Sequence, residues 1–310
     1  MILDKKVVSH IAIVTLLSTA VYFIRPVFSL EALILGISIL GLDLLFGYMG
    51  LLSFGHMSFV GMGAYAFVLS YKLLANNIVL SSIIAILAVV ALAMLVGPLV
   101  LRRGGPFFGL TMMALNQVLW FLVAVYFAPI TGGTAGIWYR FPRTPIIDIT
   151  TVEGSFIITL TSVIVLIIVM HRLTGSLFGL AIRAIRENET KVSFLGYSTF
   201  KLKYIAFVIS AAICGWSGVL YAFHYSYISP DTMSPLTNIM LILADVLGGP
   251  GTILGSFVGA FVLVGLKDVV NIYMPRWELF LGVTTIVVVL RFREGIIGYL
   301  RRARITREVL

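Results

Sequence analysis

Apolar residues run along this chain in long unbroken blocks. They show neither the alternation of a half-buried strand nor the narrow stripe of a surface helix. The blocks cover about 7–24, 28–48, 57–75, 78–101, 106–130, 155–172, 204–223, 236–248, 253–273 and 277–290. A helix that crosses a bilayer needs about 20 such residues. Most blocks meet that length, while 236–248 and 277–290 are short. The pattern predicts an all-α, polytopic membrane protein with about eight to ten transmembrane helices, some broken or re-entrant. Lys5 and Lys6 precede the first block, which ends at Arg25-Pro26 with no small-residue cleavage pattern. It reads as a retained span and not as a signal peptide.

Two connections between blocks are long. Residues 131–153, TGGTAGIWYRFPRTPIIDITTVE, form an outer loop rich in Gly and Pro. Residues 173–203 form the other and hold the middle cluster of charge. With the N-terminus in the cytoplasm, most Lys and Arg fall on the cytoplasmic side, including those of 173–203 and of the tail 291–310. Arg25, Lys72, Arg140, Arg143, Lys267 and Arg276 fall outside. This asymmetry predicts that both termini are cytoplasmic. The arginine-rich tail suits an anionic lipid surface. The whole chain, 1–310, reads as one transmembrane domain.

Composition narrows the class further. Hydrophobic residues make up 60% and charged residues 11%, against about 25% charged in a soluble domain. Soluble and disordered classes are excluded. The net charge of +9 is explained by cytoplasmic loops, so nucleic acid is not an expected partner. The single cysteine, Cys214, excludes an intrachain disulfide and a multi-cysteine metal site, and no metal is expected. No lysine follows a glycine, so the chain has no phosphate-binding P-loop and binds no ATP by that route.

Several segments carry possible chemistry. GYMGLLSFGHMSFVGMG at 47–63 places Gly47, Tyr48, Gly50, Ser53, Gly55 and His56 in an apolar setting. Glycines there permit unwound helix along a substrate path; close helix packing is the alternative. Thr111, Asn116 and Gln117 fall inside the fifth block and either line a path or bridge helices. Asp43, Asp245 and Asp268 lie near block ends; buried acids of this kind serve ion-coupled carriers. LDLLFGYMGLLSFG at 42–55 and ADVLGGPGTILG at 244–255 each set an Asp shortly before a Gly-rich break. Ser217 in GWSG precedes His224 by seven residues, about 10.5 Å along a helix, too far for a nucleophile and its base.

The 173–203 connection has helical character from 177 to 195. Phe178, Ile182 and Ile185 form one apolar edge, Arg183 and Glu187 stand at i, i+4, and Gly196 stops the helix. Such a helix lies on lipid or docks in a groove of a soluble partner.

Four stretches together resemble a known family. They are LDLLFGYMGLLSFGHMSFVGMGAYAF at 42–67, GGPFFGLTMMAL at 104–115 with ITGGTAGI at 130–137, GLAIRAIRENETKVSFLGYSTFKLKYIAFVISAAICGWSGVLYA at 179–222, and LGGPGTILGSFVGA at 247–260. The chain resembles the permease subunits of branched-chain amino acid ABC transporters, in particular the M-type subunit of leucine/isoleucine/valine systems. The resemblance implies a non-enzymatic transport subunit in a bacterial inner membrane. It would work with a second, related permease, two ATPase subunits that bind ATP, and a periplasmic binding protein.

By the same resemblance Gly179, Arg183, Arg186, Glu187, Glu189 and Gly196 couple the chain to the ATPase. Gly47, Gly50, Ser53, Gly55 and His56 match the family's Gly-Ser segment and line the substrate path; Tyr48, Thr111 and Asn116 join that path as polar groups set in apolar helix. Thr131, Gly132, Gly133 and Gly136 form the outer motif facing the binding protein. Lys191-Val192 and Thr111-Met112-Met113-Ala114 depart from the family pattern. They leave short amides or urea as alternative substrates. Outside the family, an ion-coupled secondary carrier remains the alternative.

Overall fold

The computed structural model describes residues 5–74, 77–102, 105–139 and 151–273, with short pieces at 279–280, 282–284 and 295–299. Residues 140–150 of the outer loop, most of the block at 277–290, and the tail 291–310 apart from 295–299 lie outside the described residues.

Each apolar block from 7 to 273 is built on a helix. The order is α1 (Lys5–Ile24), α2 (Pro26–Phe46), α3 (Met57–Leu73), α4 (Ile78–Val100), α5 (Pro106–Phe121) and the short α6 (Ala128–Thr131). Then come α7 (Val152–Gly175), α8 (Leu177–Phe194), α9 (Thr199–Tyr225), α10 (Pro235–Gly248) and α11 (Ile253–Tyr273). A π-helical turn, Leu122–Tyr126, carries α5 onward. A two-residue ribbon, β1 (Ile137–Trp138) with β2 (Tyr227–Ile228), pairs antiparallel. Seven helices among the described residues are long and apolar enough to cross a membrane: α1, α2, α4, α5 with its π turn, α7, α9 and α11. α3 has 17 residues and α10 has 14, about 26 and 21 Å of helix. Both fall short of a hydrocarbon core about 30 Å thick.

The bundle is organised around α2, which is buried along nearly its whole length; Leu30, Leu33, Ile37, Leu40 and Leu44 have no exposure. α9 runs antiparallel beside it, because polar side chains of α9 reach the α2 backbone in reverse order. Ser217 Oγ donates to the Ile34 carbonyl at 2.7 Å and Ser210 Oγ to that of Gly41 at 2.5 Å. Ser217 is thus a helix-packing serine. Glycine permits this approach: a methyl group on Gly41 would meet Cys214 Sγ at 2.6 Å. α3 runs parallel to α9, with Phe59 against Phe207 and Phe67 against Phe223; between these pairs Gly63 lies against the Gly215 backbone and Gly218 against the Val60 carbonyl. Small-residue seams replace hydrophobic collapse as the means of holding helices together in lipid. The perimeter is apolar and open, as at Phe23 on α1, Leu95 on α4 and Val165 on α7. In water that surface would be a large liability; facing lipid it is matched. The chain is a multi-pass membrane protein.

Candidate functional site

Two spans are interrupted partway across the bundle, from opposite ends. After α2, residues 47–56 leave the helix, turning at Gly47 and then running extended until α3 starts at Met57. After α9, the chain passes through β2 and a 3-10 turn, Pro230–Met233, before α10 starts at Pro235. The two helix starts meet. Met57 N–H donates to Asn238 Oδ1 at 3.0 Å, Asn238 Nδ2 to Asn116 Oδ1 at 3.3 Å, and Asn116 Nδ2 to the Met233 carbonyl at 2.8 Å. Asn116 and Asn238 are both buried. Their amides supply the partners that broken helices lose, which the membrane interior does not provide.

His56 lies beside this junction and is fully buried. Its Nδ1 is 2.6 Å from Ser53 Oγ and its Nε2 2.8 Å from Ser210 Oγ. The Ser210 proton is already used on the Gly41 carbonyl. Nε2 is therefore the donor to Ser210, and Nδ1 accepts from Ser53. Ser210 stands about 16 Å along α9 from its start, which places His56 near the middle of the bundle. The ring ties the extended segment to α9. Gly55 lets the segment lie directly on α5, where a methyl group would strike the Met112 carbonyl.

At the α8 end, the two Asp-Gly segments noted in the sequence come together. Asp43 Oδ1 accepts from Gly251 N–H at 2.6 Å, and Gly47 lies against the Gly251 backbone. Asp43 Oδ2 and both oxygens of Asp245 are buried and reached by no N–H or hydroxyl donor among the described residues; the two carboxyl groups face each other. α8 closes over this cluster. Ser176 caps it by accepting from Gly179 N–H at 3.3 Å, and Gly179 packs on the Thr174 backbone, where a side chain would collide. Arg183 Nε donates to the Gly179 carbonyl at 3.1 Å; its other end donates to the Thr174 carbonyl and lies over the Tyr48 ring. Arg186 donates to the Gly47 carbonyl, and its Cγ would touch a methyl group on Gly50. α8 is thereby fastened to the start of the 47–56 segment.

The rest of α8 faces two ways. Ile182 and Ile185 are buried and Phe178 is half-buried against them, so the apolar edge seen in the sequence packs onto the bundle. Glu187 is exposed. The helix breaks at Asn188, with φ −163° and ψ 99°. Glu189 pairs with the buried Lys203 at 2.6 Å. Gly196, at φ +86°, ends the segment. Leu177 and Phe194 are 84% and 85% exposed, and Leu180, Leu195 and Tyr197 are also exposed.

At the other end, the outer motif is turn chemistry. Thr131 Oγ1 lies 2.6 and 2.8 Å from the Val123 and Phe127 carbonyls, which share its one proton and close the π turn. Gly132, Gly133 and Gly136 all adopt positive φ. Gly136 lies on the Ile228 carbonyl, which lets β1 pair with β2 and hold the approach to α10. Thr111, by contrast, donates to the Phe107 carbonyl of its own helix at 2.8 Å and does not join Asn116. Beneath the ribbon α2, α3, α9, α10 and α11 enclose a cavity of about 400 Å³, with Glu31 and Lys267 in its wall. Sequence reasoning treated Lys267 as an outer charge and overlooked Glu31 and Asn238. A single Asn inside a short apolar block was the signal available for Asn238.

Discontinuous spans that meet at mid-depth around paired asparagines, beside a cavity, are the construction of a permease. The chain belongs to the family described as branched-chain amino acid transport system / permease component, matching it over residues 28–290. It is 26% identical over 287 residues to the high-affinity branched-chain amino acid transport system permease protein LivM of Escherichia coli (strain K12), covering 84% of this chain and 67% of that one. It is 27% identical over 284 residues to the probable branched-chain amino acid transport permease protein LivM of Methanocaldococcus jannaschii, covering 79% and 80%. A shorter likeness, 30% over 119 residues, links it to the autoinducer 2 import system permease protein LsrC of Yersinia pestis (strain Pestoides F), covering 36% and 34%. No solved structure matches the chain.

Proposed function

We propose that this chain is the translocation subunit of an ATP-driven importer for amino acids with branched apolar side chains. It would sit in a bacterial inner membrane with both termini in the cytoplasm. A related permease, two ATPase subunits and a periplasmic binding protein would complete the complex. ATP is hydrolysed on the partner subunits, and this chain catalyses no bond chemistry. The observation that carries the reading is the Arg186 bond to the Gly47 carbonyl. It joins a helix with exposed Leu177 and Phe194 to the segment that positions the mid-bundle start of α3. An ATPase docked on α8 would pull on that segment directly. The Gly47–His56 segment and Asn116 then belong to the moving path, and Thr131–Gly136 to the outer mouth.

The test is uptake of L-leucine into vesicles holding the complex extracted in mild detergent with its co-purifying subunits. Uptake that requires ATP on the α8 side, and a co-purifying P-loop protein, is the expected outcome. A second reading, an ion-coupled carrier, draws support from the buried, facing carboxyl groups of Asp43 and Asp245. It predicts uptake by the chain alone, driven by an ion gradient and abolished by an ionophore.

A further inference from the structure

The cavity lined by α2, α3, α9, α10 and α11 combines an apolar wall with an ion pair. Its walls are apolar, through Ile34, Leu35, Val60, Met240 and Val264. Its polar end carries the Lys267–Glu31 ion pair, with Nζ 2.8 Å from Oε1. The pair bridges α11 and α2, and its side chains remain 33% and 26% exposed. Asp231 stands at the same end. A second ion pair nearby, Arg25–Asp268, is longer at 3.4 Å and much more exposed, and neither residue lines the cavity. Charges inside a membrane protein are costly unless paired. A self-paired Lys and Glu beside an apolar pocket meet that need while the pocket is empty. The Tyr225 hydroxyl also bonds Glu31, yet Lys267 keeps ammonium protons beyond the one used on Glu31, and the carboxylate, with about four lone-pair sites, can accept further bonds.

We propose that this cavity binds a zwitterionic amino acid with a short branched side chain, Lys267 taking the α-carboxylate, Glu31 the α-ammonium, and the apolar wall the side chain. The site deepens the importer reading and rests on it for the choice of ligand. Charge balance sets the selectivity. A zwitterion leaves the net charge of the site as it found it and gives both Lys267 and Glu31 a counter-charge. A carboxylate without an amine adds a negative charge beside Glu31 and Asp231, and an amine without a carboxylate draws Glu31 away from Lys267 and gives the ammonium nothing in return. A neutral amide or urea satisfies neither residue fully and leaves the apolar wall unfilled. The volume, about 400 Å³, lies within the range of small-molecule pockets.

The experiment is equilibrium binding to the purified complex without ATP. Radiolabelled L-leucine competes with 4-methylpentanoate, which lacks the amine, with 3-methylbutylamine, which lacks the carboxylate, and with urea. In the native chain L-leucine, L-isoleucine and L-valine should compete, and the two half-molecules and urea should do so at least tenfold more weakly. Glu31→Gln should weaken L-leucine at least tenfold and raise the relative standing of 4-methylpentanoate. Lys267→Met should do the same for 3-methylbutylamine. Arg25→Ala, at the outer pair, should leave L-leucine binding within twofold. The opposite shifts in selectivity distinguish lost recognition from lost folding, which would weaken every ligand alike. L-leucine binding that both variants leave within twofold and with unchanged selectivity overturns the site and leaves the importer reading standing. Binding of another zwitterion but not L-leucine, with the same dependence on Glu31 and Lys267, keeps the site and removes the branched-chain substrate. Binding of urea alone, or of no zwitterion, overturns the proposal.

Discussion

At the α8 end of the bundle, backbone meets backbone. Gly47 lies on Gly251, Gly248 on Gly255, and Arg186 grips a main-chain carbonyl. At the opposite end the helices draw apart around a cavity of about 400 Å³ whose walls are long side chains. One end is closed by the absence of side chains and the other is shaped by their presence. The difference follows from where glycine falls: three within Gly47–Gly55, five within Gly248–Gly259, and one, Gly36, along α2 before Gly41. A seam of this kind has two consequences. It closes tightly, because main chains approach within van der Waals contact. It also has no bulky side chains to repack, so it can part along the same line. A pocket lined by Leu, Met and Tyr is better suited to holding a ligand.

The largest effect that would break this contrast is at Gly47. A methyl group there overlaps the Asp43 carboxylate and the Gly251 main chain. Gly47→Ala should force the α2 and α10 ends apart, with a cost at or above the about 1–3 kcal/mol typical of overpacking. A thermal unfolding scan of the purified protein measures it, and an unchanged midpoint would mean that the seam is not tight. Gly50→Ala removes a positive-φ glycine beside Arg186 and should be milder.

Next comes the mid-bundle junction. Asn238→Leu keeps the volume close but strands the Met57 N–H and the Asn116 carbonyl oxygen, worth about 1–3 kcal/mol for a buried group left unpaired. The same scan should show a loss of that size, with uptake falling in parallel. Thr131→Val should cost about 1 kcal/mol by removing the one hydroxyl proton that the Val123 and Phe127 carbonyls share, and its loss should appear as faster proteolysis of the outer loop. The smallest change is expected at Thr111→Val. Its hydroxyl is half-exposed and bonds only its own helix, so stability and uptake should stay within about 0.5 kcal/mol and twofold of the native chain.

The helices were legible because a membrane span is a local property. The helical stretch read from 177 to 195, with Gly196 as its stop, matches α8 to within one residue at each end, and the short block at 236–248 reads directly as the half-length α10. The pairings were not legible. Asp43 with Gly251, Asn116 with Asn238 and Glu31 with Lys267 join residues more than a hundred positions apart, and no periodicity records them. Thr111 and Asn116 look alike in sequence, as polar residues in one apolar helix, yet one turns back on its own backbone and the other crosses to α10. The α8 edge formed by Phe178, Ile182 and Ile185 offered lipid or a partner as its target; the bundle itself takes it. The face left for a partner is Leu177, Leu180 and Phe194, which carries no helical period of its own. His56 reads in the sequence as a polar group on a path; in the structure its two serine bonds hold the backbone of the 47–56 segment against α9.

If α8 moves the 47–56 segment through Arg186, then Arg186→Ala in the reconstituted complex should part transport from hydrolysis, with ATP hydrolysis and L-leucine uptake measured on the same vesicles. Hydrolysis should persist while the leucine taken up per ATP falls at least tenfold. An unchanged ratio would mean that Arg186 carries no such motion.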